Sequence, residues 1–366
     1  MRVLLTSTPG LGHLFPLIST AWALRAAGHE VRVATTGAAA TAAANAGLTV
    51  VEAAPGVDLD AEIARLVAAE PEPARDEQSR PDTIALAGRY FALFAELMLA
   101  ESLRQARLWQ PDLVVYELCD ATGPIIAAKL GIPCVAHGFG FSGGHGLIEL
   151  IHGNLGESLA VPETALDLAP PSMHGGLKGI STRYVPYNGG AVLPAWLAEP
   201  RERPRIVVTM GTVDQGSADL SPWHRILDAA QGLDAELVLA AGPWDLSALE
   251  LPEHARVIGY LPLTALLARS DAAIHHGGSG STLTALVAGI PQLLMPYGAD
   301  QFINADLVAK RGVGLVAEHS GVTSAQLAGL LHDVELKAAV AEVQAEIAAL
   351  PSPAELVPHL EVIAGR

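Results

Sequence analysis

Within its first 35 residues the chain spells out one complete strand, helix and strand, and that unit confines it to folds built on a parallel sheet. An apolar run from Arg2 to Ser7 is stopped by Pro9 and Gly10. Leu14, Leu17, Ile18, Ala21 and Leu24 then recur with helical period over Leu14 to Ala27, Gly28 ends the helix, and Glu30 to Thr35 forms a second strand. A crossover helix between two strands leaves them parallel in one sheet, with helices covering its faces.

The alternation continues with a strand at Asp112 to Tyr116, a helix at Ala121 to Leu130 closed by Gly131, and a strand at Ile132 to Ala136. It restarts after residues 186–204, an aperiodic stretch with Gly189, Gly190 and four prolines that reads as an interdomain linker. Beyond it, strands at Arg205 to Met210, Ala235 to Ala240, Arg256 to Gly259, Ala272 to His275 and Gln292 to Met295 interleave with helices starting near Pro222, Leu263, Ser281 and Asp300. The class is therefore α/β, with Rossmann-like doubly wound domains over residues 1–190 and 205–350. Thr323 and Gln326 form a capping-box pattern, and helices at Glu335 to Leu350 and Ala354 to Ala364 close the chain. The last of these, within 352–366, is expected to return to the first domain. Two irregular stretches, Pro55 to Arg80 and Gly138 to Pro171, read as loops lining a cleft.

A length of 366 residues accommodates two cores. A net charge of −17 opposes binding to nucleic-acid backbones, so no such partner is expected. No unbroken apolar run reaches the roughly 18 to 20 residues of a membrane span. Two cysteines, Cys119 and Cys134, are too few for a disulfide framework and fit a reducing, cytoplasmic location. The histidines His137, His145, His152 and His174 lack metal-ligand spacing, and Asp58-Leu-Asp60 lies in an acidic stretch read as a solvated loop. No metal or cofactor is expected.

The most informative segment runs from His275 and His276 through two glycines to Ser279-Gly280-Ser281-Thr282, between an apolar strand and a helix start. Glycines permit close approach of the backbone, and free amides at a helix start favour a diphosphate. The segment lacks the P-loop lysine and departs from the dinucleotide fingerprint, which disfavours both ATP hydrolysis and a nicotinamide oxidoreductase. Around it, Gly259-Tyr260-Leu261-Pro262, Gly289-Ile290-Pro291 and Asp300-Gln301 follow in fixed order.

In these motifs the chain resembles the inverting glycosyltransferases of the two-Rossmann GT-B architecture, in the branch that decorates bacterial macrolides and aromatic polyketides. The resemblance implies two domains facing across a cleft, 1–190 binding an acceptor and 205–350 a nucleotide-sugar donor. It places Tyr260 against the nucleobase, with Leu261 contributing backbone. It sets Thr212, His276, Gly278, Gly280 and Ser281 at the diphosphate, and Asp300 and Gln301 at the sugar hydroxyls. Thr284 stands where many UDP-sugar users carry a glutamate for the ribose, which favours a dTDP-sugar over a UDP-sugar. His275 is expected to be a satisfied buried residue.

Gly10-Leu-Gly12-His13-Leu-Phe-Pro16 matches the family's Gly-His-x-x-Pro, where the histidine deprotonates the acceptor. Imidazole suits that role because its ordinary pKa, about 6.5, lies near working pH. Glu117 falls on the position of the acid that orients it, with Asp120 as the alternative, and Phe139 and Phe141 are expected to wall the acceptor site. The resemblance thus implies sugar transfer, with inversion, to a hydroxyl of a small natural product. A nucleotide-sugar epimerase or hydrolase and a catalytically idle sugar-nucleotide-binding protein are the competing readings. The acceptor, the sugar, and the oligomeric state, with a homodimer one option, stay open.

Overall fold

The computed structural model of the chain describes residues 1–69, 85–144, 147–173, 177–211, 219–317 and 321–366. The chain divides into two compact units, Met1–Tyr187 with Leu350–Arg366, and Asn188–Ala349.

The first unit runs β1 (Arg2–Thr6), α1 (Leu11–Ala26), β2 (Glu30–Thr35), α2 (Gly37–Asn45), β3 (Thr49–Glu52), α3 (Leu59–Ala68) and α4 (Ala85–Trp109). It continues through β4 (Leu113–Glu117), α5 (Thr122–Leu130), β5 (Cys134–His137), α6 (Leu147–Leu155), β6 (Thr164–Asp167) and β7 (Ile180–Ser181). All its strand pairs are parallel, in the order β3-β2-β1-β4-β5-β6-β7. Val3, Leu5, Leu113 and Val115 pack one face of the sheet against Leu14, Leu17 and Ile18 of α1. Leu4, Val114 and Tyr116 pack the other face with Ala106 and Trp109 of α4. Burial on both faces is why these strands read as unbroken apolar runs.

The second unit contains α7 (Ala195–Ala198), β8 (Arg205–Thr209), α8 (Ser221–Ala229), β9 (Glu236–Ala240), β10 (Ala255–Ile258), α9 (Leu263–Leu267) and β11 (Ala272–His275). There follow α10 (Ser279–Ala288), β12 (Gln292–Leu294), α11 (Gln301–Arg311), β13 (Leu315–Val316), α12 (Ser324–His332) and α13 (Val334–Ala349). This sheet too is parallel throughout, ordered β10-β9-β8-β11-β12-β13. Thr323 and Gln326 form the capping box at the start of α12. A final helix, α14 (Pro353–Ile363), belongs to the first unit, where Leu356, Val357 and Leu360 join the cluster around α1. The Arg183 guanidinium donates to the Leu350 carbonyl at 2.9 Å and the Arg183 amide to that of Pro351 at 2.8 Å, which ties the approach to α14 to the same unit.

Several expectations need correction. Pro55 to Arg80 is not wholly irregular: Asp58 caps α3, its carboxylate accepting the Ala61 amide at 3.1 Å, so Asp58-Leu-Asp60 is a helix start. Gly138 to Pro171 likewise contains α6 and β6. The 25-residue α4 has no counterpart in the sequence reading. Its buried positions include Ala92, Ala95, Ser102 and Ala106, small residues that weaken the apolar contrast between faces. Helix α1 begins at Leu11, three residues ahead of the expected Leu14, with Gly10 as its N-cap.

Leu360 is 1% exposed within the cluster around α1. Truncation there leaves a cavity, so Leu360→Ala is expected to lower unfolding free energy by about 2 to 5 kcal/mol. Urea titration followed by circular dichroism measures the loss, and an unchanged midpoint would show that α14 does not hold this core.

Candidate active site

In the first sheet the chain leaves β1 toward β2 but leaves β4 toward β5 on the opposite side. Loops that diverge from two adjacent parallel strands open a crevice at their carboxyl ends. Both catalytic candidates of this unit lie there. His13 occupies the first turn of α1, where the Gly10 carbonyl accepts the amides of His13 and Leu14, each at 3.1 Å. Glu117 is the last residue of β4 and is fully buried. His13 Nδ1 stands 3.0 Å from Glu117 Oε1. The Cys119 amide donates to that same oxygen at 2.8 Å, and the Thr8 hydroxyl approaches Oε2 at 3.5 Å. Two donors from the surrounding loops thus hold the carboxylate toward the imidazole.

The alternative partner, Asp120, is engaged elsewhere. Its two carboxylate oxygens accept the Thr122 and Gly123 amides of the α5 start, each at 3.1 Å, and burial raises its pKa. Gly123 is confined to glycine because an added Cβ would lie 2.4 Å from Thr6 Oγ1 and 2.5 Å from Tyr116 Cβ. Asp120 is therefore spent on the amides at the start of α5, and Glu117 is the carboxylate in contact with His13.

Two aromatic rings flank the imidazole. Phe139 lies 4.7 Å from it, centroid to centroid, and Phe91 of α4 meets it edge-on at 5.2 Å. Phe141, expected in the acceptor wall, is instead 1% exposed and packs as core. Phe91 was not found by sequence reasoning; the available signal was the aromatic cluster Tyr90-Phe91-Ala-Leu-Phe94 in a chain only 5% aromatic. A cavity of about 640 Å³ in this unit is lined by Tyr116, Cys119, Asp120, Ile148, Ile151 and Leu177, among others. His152, on α6, also borders it, whereas His145 and His174 lie outside the described residues.

The second sheet repeats the geometry between β8 and β11. Thr212, expected on the loop after β8, lies outside the described residues. From the loop after β11, the His276 ring fills the space between two glycines: a Cβ on Gly211 (φ +84°) would come within 2.8 Å of it, and one on Gly278 within 2.4 Å. Burial pushes the His276 pKa down to about 4, against a raising interaction with the Thr209 backbone. His275 is satisfied, its Nδ1 accepting the Gly277 amide at 3.0 Å and its Nε2 donating to Gln292 Oε1 at 2.9 Å.

Helix α10 starts directly after Gly278, with Gly280 and Ser281 in its first turn. The first amides of a helix have no carbonyl within it to bond, so this turn presents donors. Asn304, buried on α11, donates to Gly277 O, Ser279 Oγ and Asp300 Oδ2 at 2.9, 3.1 and 3.0 Å. Ser279 Oγ donates to the same Asp300 oxygen at 2.7 Å, so the glycine loop and the start of α11 form one network. Gln301 Oε1 accepts the Tyr297 and Gly298 amides at 2.9 and 3.2 Å. Tyr260 is 50% exposed, with its hydroxyl donating to the Asn188 carbonyl, while Leu261 packs against the core. Thr284 is buried, and its hydroxyl donates to Gly280 O at 2.6 Å. Among the described residues no helix is long and apolar enough to cross a membrane.

Two buried histidines predict an acid limit to stability. His137 donates from Nδ1 to the Gly138 carbonyl at 2.7 Å and accepts the Thr20 hydroxyl at Nε2 at 2.9 Å, and burial lowers its pKa to about 4. Burial lowers His275 to about 3. Above the unfolded value of about 6.5 both states are neutral and the stability is fully present. As pH falls below it, the unfolded chain takes up protons that the folded chain refuses, at about 1.4 kcal/mol per pH unit per group. Asp120, with its raised pKa, acts in the opposite sense, so the histidine share is a difference between proteins. His137→Asn, which keeps a donor for Gly138, should lose about 1 kcal/mol less between pH 6 and 5 than the parent. An equal fall in urea midpoint between pH 6 and 5 for parent and variant would contradict this.

Residues 22–211 match the N-terminal domain and 224–363 the C-terminal domain of the family described as erythromycin biosynthesis protein CIII-like. The chain is 41% identical over 387 aligned residues to the elloramycin glycosyltransferase ElmGT of Streptomyces olivaceus, covering 100% of this chain and 98% of that protein. The glycosyltransferase SnogD from Streptomyces nogalater superposes with a TM-score of 0.86 at 37% identity, over 100% of this chain and 99% of SnogD. The spinosyn rhamnosyltransferase SpnG complexed with thymidine diphosphate does so with 0.82 at 30% identity, over 99% of this chain and 100% of SpnG. SpnG complexed with spinosyn aglycone gives 0.82 at 29% identity, over the same shares of the two chains. The chain belongs to the erythromycin biosynthesis protein CIII-like family, natural-product glycosyltransferases of the GT-B fold.

Proposed function

We propose that the protein transfers a sugar from a nucleoside diphosphate, dTDP in preference to UDP, to a hydroxyl of a small natural product, in one displacement that inverts the anomeric centre. The observation that carries this reading is the His13 Nδ1 to Glu117 Oε1 contact of 3.0 Å at the end of β4. A carboxylate that accepts the Nδ1 proton leaves the lone pair on Nε2, where it can take the acceptor proton, and stabilises the imidazolium that results.

The second unit supplies the leaving-group site in this reading. Charge growing on the diphosphate meets the first amides of α10 and one N–H of His276, a neutral donor because burial holds its pKa near 4. With donors already aimed at the developing charge, no divalent cation is needed as cofactor. Thr212 contributes a hydroxyl on the strength of the motif alone. The contacts of the sugar-binding pair divide its work: Asp300 has Oδ2 taken and offers Oδ1, while Gln301 has its carbonyl oxygen taken and offers its amide N–H groups. Tyr260, half-exposed, gives the base a face to stack on, next to the Leu261 backbone. Phe139 and Phe91 beside the imidazole favour an acceptor with a flat or apolar surface.

The dTDP preference rests on Thr284, whose buried hydroxyl is spent on Gly280 O, so that no carboxylate at this position grips a ribose 2′-hydroxyl. The thymidine diphosphate bound by the relative SpnG supports it.

His13→Ala should reduce turnover of a dTDP-sugar by about 10²- to 10⁴-fold with unchanged nucleotide affinity. Glu117→Gln should cost less and also spare nucleotide affinity. Wild-type turnover in His13→Ala would refute the base assignment. At equal concentration dTDP should raise the melting temperature more than UDP does, since a ligand of the folded state stabilises by mass action. A larger rise with UDP would overturn the donor preference.

A further inference from the structure

We infer that His13, Glu117 and Cys119 form an inhibitory site for a borderline-soft divalent cation, of which Zn²⁺ is the type. A nitrogen, a carboxylate oxygen and a sulfur from these three side chains all lie within 4.8 Å of one another. That donor set suits zinc and suits magnesium or calcium poorly. The imidazole and carboxylate are already in place: bonds of about 2.0 to 2.2 Å at the tetrahedral angle put two such ligand atoms about 3.4 Å apart, against the 3.0 Å observed between His13 Nδ1 and Glu117 Oε1. Sulfur completes the triad after a movement on the order of 1 Å, within the reach of a turn about its single side-chain torsion.

Independent features of the site support occupancy. Cys119 forms no disulfide and, although only 1% exposed, borders the 640 Å³ cavity, while His13 retains 22% side-chain exposure, so an ion has ways in. Glu117 is a fully buried carboxylate that faces one amide, one distant hydroxyl and His13 Nδ1, and a cation would take the place of the proton it shares with the last of these. A net charge of −17 favours cation approach.

Binding has a specific chemical consequence. The ion takes the Nδ1 lone pair, so the proton that Nδ1 shared with Glu117 goes to Nε2, and the Cys119 thiol proton goes to solvent as the thiolate ligates. A metal-bound imidazole protonated on Nε2 has no lone pair left for an acceptor hydroxyl. The fourth ligand is water. This inhibition, though not the binding, rests on the proposed role of His13.

Reduced full-length protein is titrated with Zn²⁺ against a chromophoric chelator, and separately with Co²⁺ while the thiolate-to-metal charge-transfer absorption is recorded. One equivalent should bind with that absorption present. Cys119→Ser should abolish the absorption and weaken Zn²⁺ binding at least tenfold, while Cys134→Ser should change neither. Cys119→Ala, which leaves no donor, should do the same as Cys119→Ser. No charge-transfer absorption in the parent, or its survival in both Cys119 variants, would overturn the site. With a dTDP-sugar as donor, Zn²⁺ should inhibit the parent and inhibit either Cys119 variant at least tenfold more weakly. Stoichiometric binding through Cys119 without loss of turnover would instead overturn the inhibition and His13 as the base.

Discussion

The reversal of strand order at the middle of each parallel sheet is the constraint on which the rest depends. Between β1 and β4, and again between β8 and β11, neighbouring strands send their loops to opposite sides. Main-chain groups cannot cover that gap, so helix starts and strand-end side chains face into it. In the first unit it receives an imidazole from the first turn of α1 and a carboxylate from the end of β4. In the second it receives the His276 ring and the start of α10. One backbone rule therefore makes two crevices, and the side chains placed in them make the two chemically different.

Burial sorts the histidines into roles. His137 and His275 occupy the last positions of β5 and β11, yet each has both ring nitrogens engaged by its own surroundings and a pKa depressed far below the ordinary value. They are structural groups that cannot readily gain a proton near neutrality. His13, in the first turn of the helix after β1 and so two strands away from His137 on β5, keeps part of its ring exposed and a carboxylate against Nδ1. The difference comes from place in the fold and not from residue type, so counting histidines in this sequence could not have separated a partly exposed imidazole beside a carboxylate from a core residue.

The elements that follow from a single period were legible: the first βαβ unit, the alternation of the second half, and the capping box at Thr323 all lie where the pattern of Gly, Pro and apolar residues puts them. The pairing of His13 with Glu117 was legible only through the resemblance, because 103 residues separate the two in the chain and nothing local links them. Helix α4 was not legible, since alanine and serine on its buried positions blur its faces, and with it went Phe91. Phe141 misled for the converse reason. An aromatic in a glycine-rich stretch looks available to a ligand, but β5 and β6 draw that stretch into the fold and leave the ring almost without exposure.

The two glycines around His276 show why a glycine-rich turn cannot be read from its spacing alone. Their missing side chains serve the protein before they serve a ligand, because the space a Cβ would fill at Gly211 and Gly278 is taken by the histidine ring itself. The ring is then fixed from two sides, and the amides of the α10 start lie beside it at a defined place. Asn304 fixes that start from below, by bonding Gly277, Ser279 and Asp300 at once. In the proposed reaction a loop so constrained needs no reorganisation when charge arrives, and preorganised dipoles are worth most where they do not have to turn. Rigidity of the second unit's loop and orientation of the first unit's imidazole are thus two forms of one principle: donors and acceptors held in place by buried partners before any substrate is present.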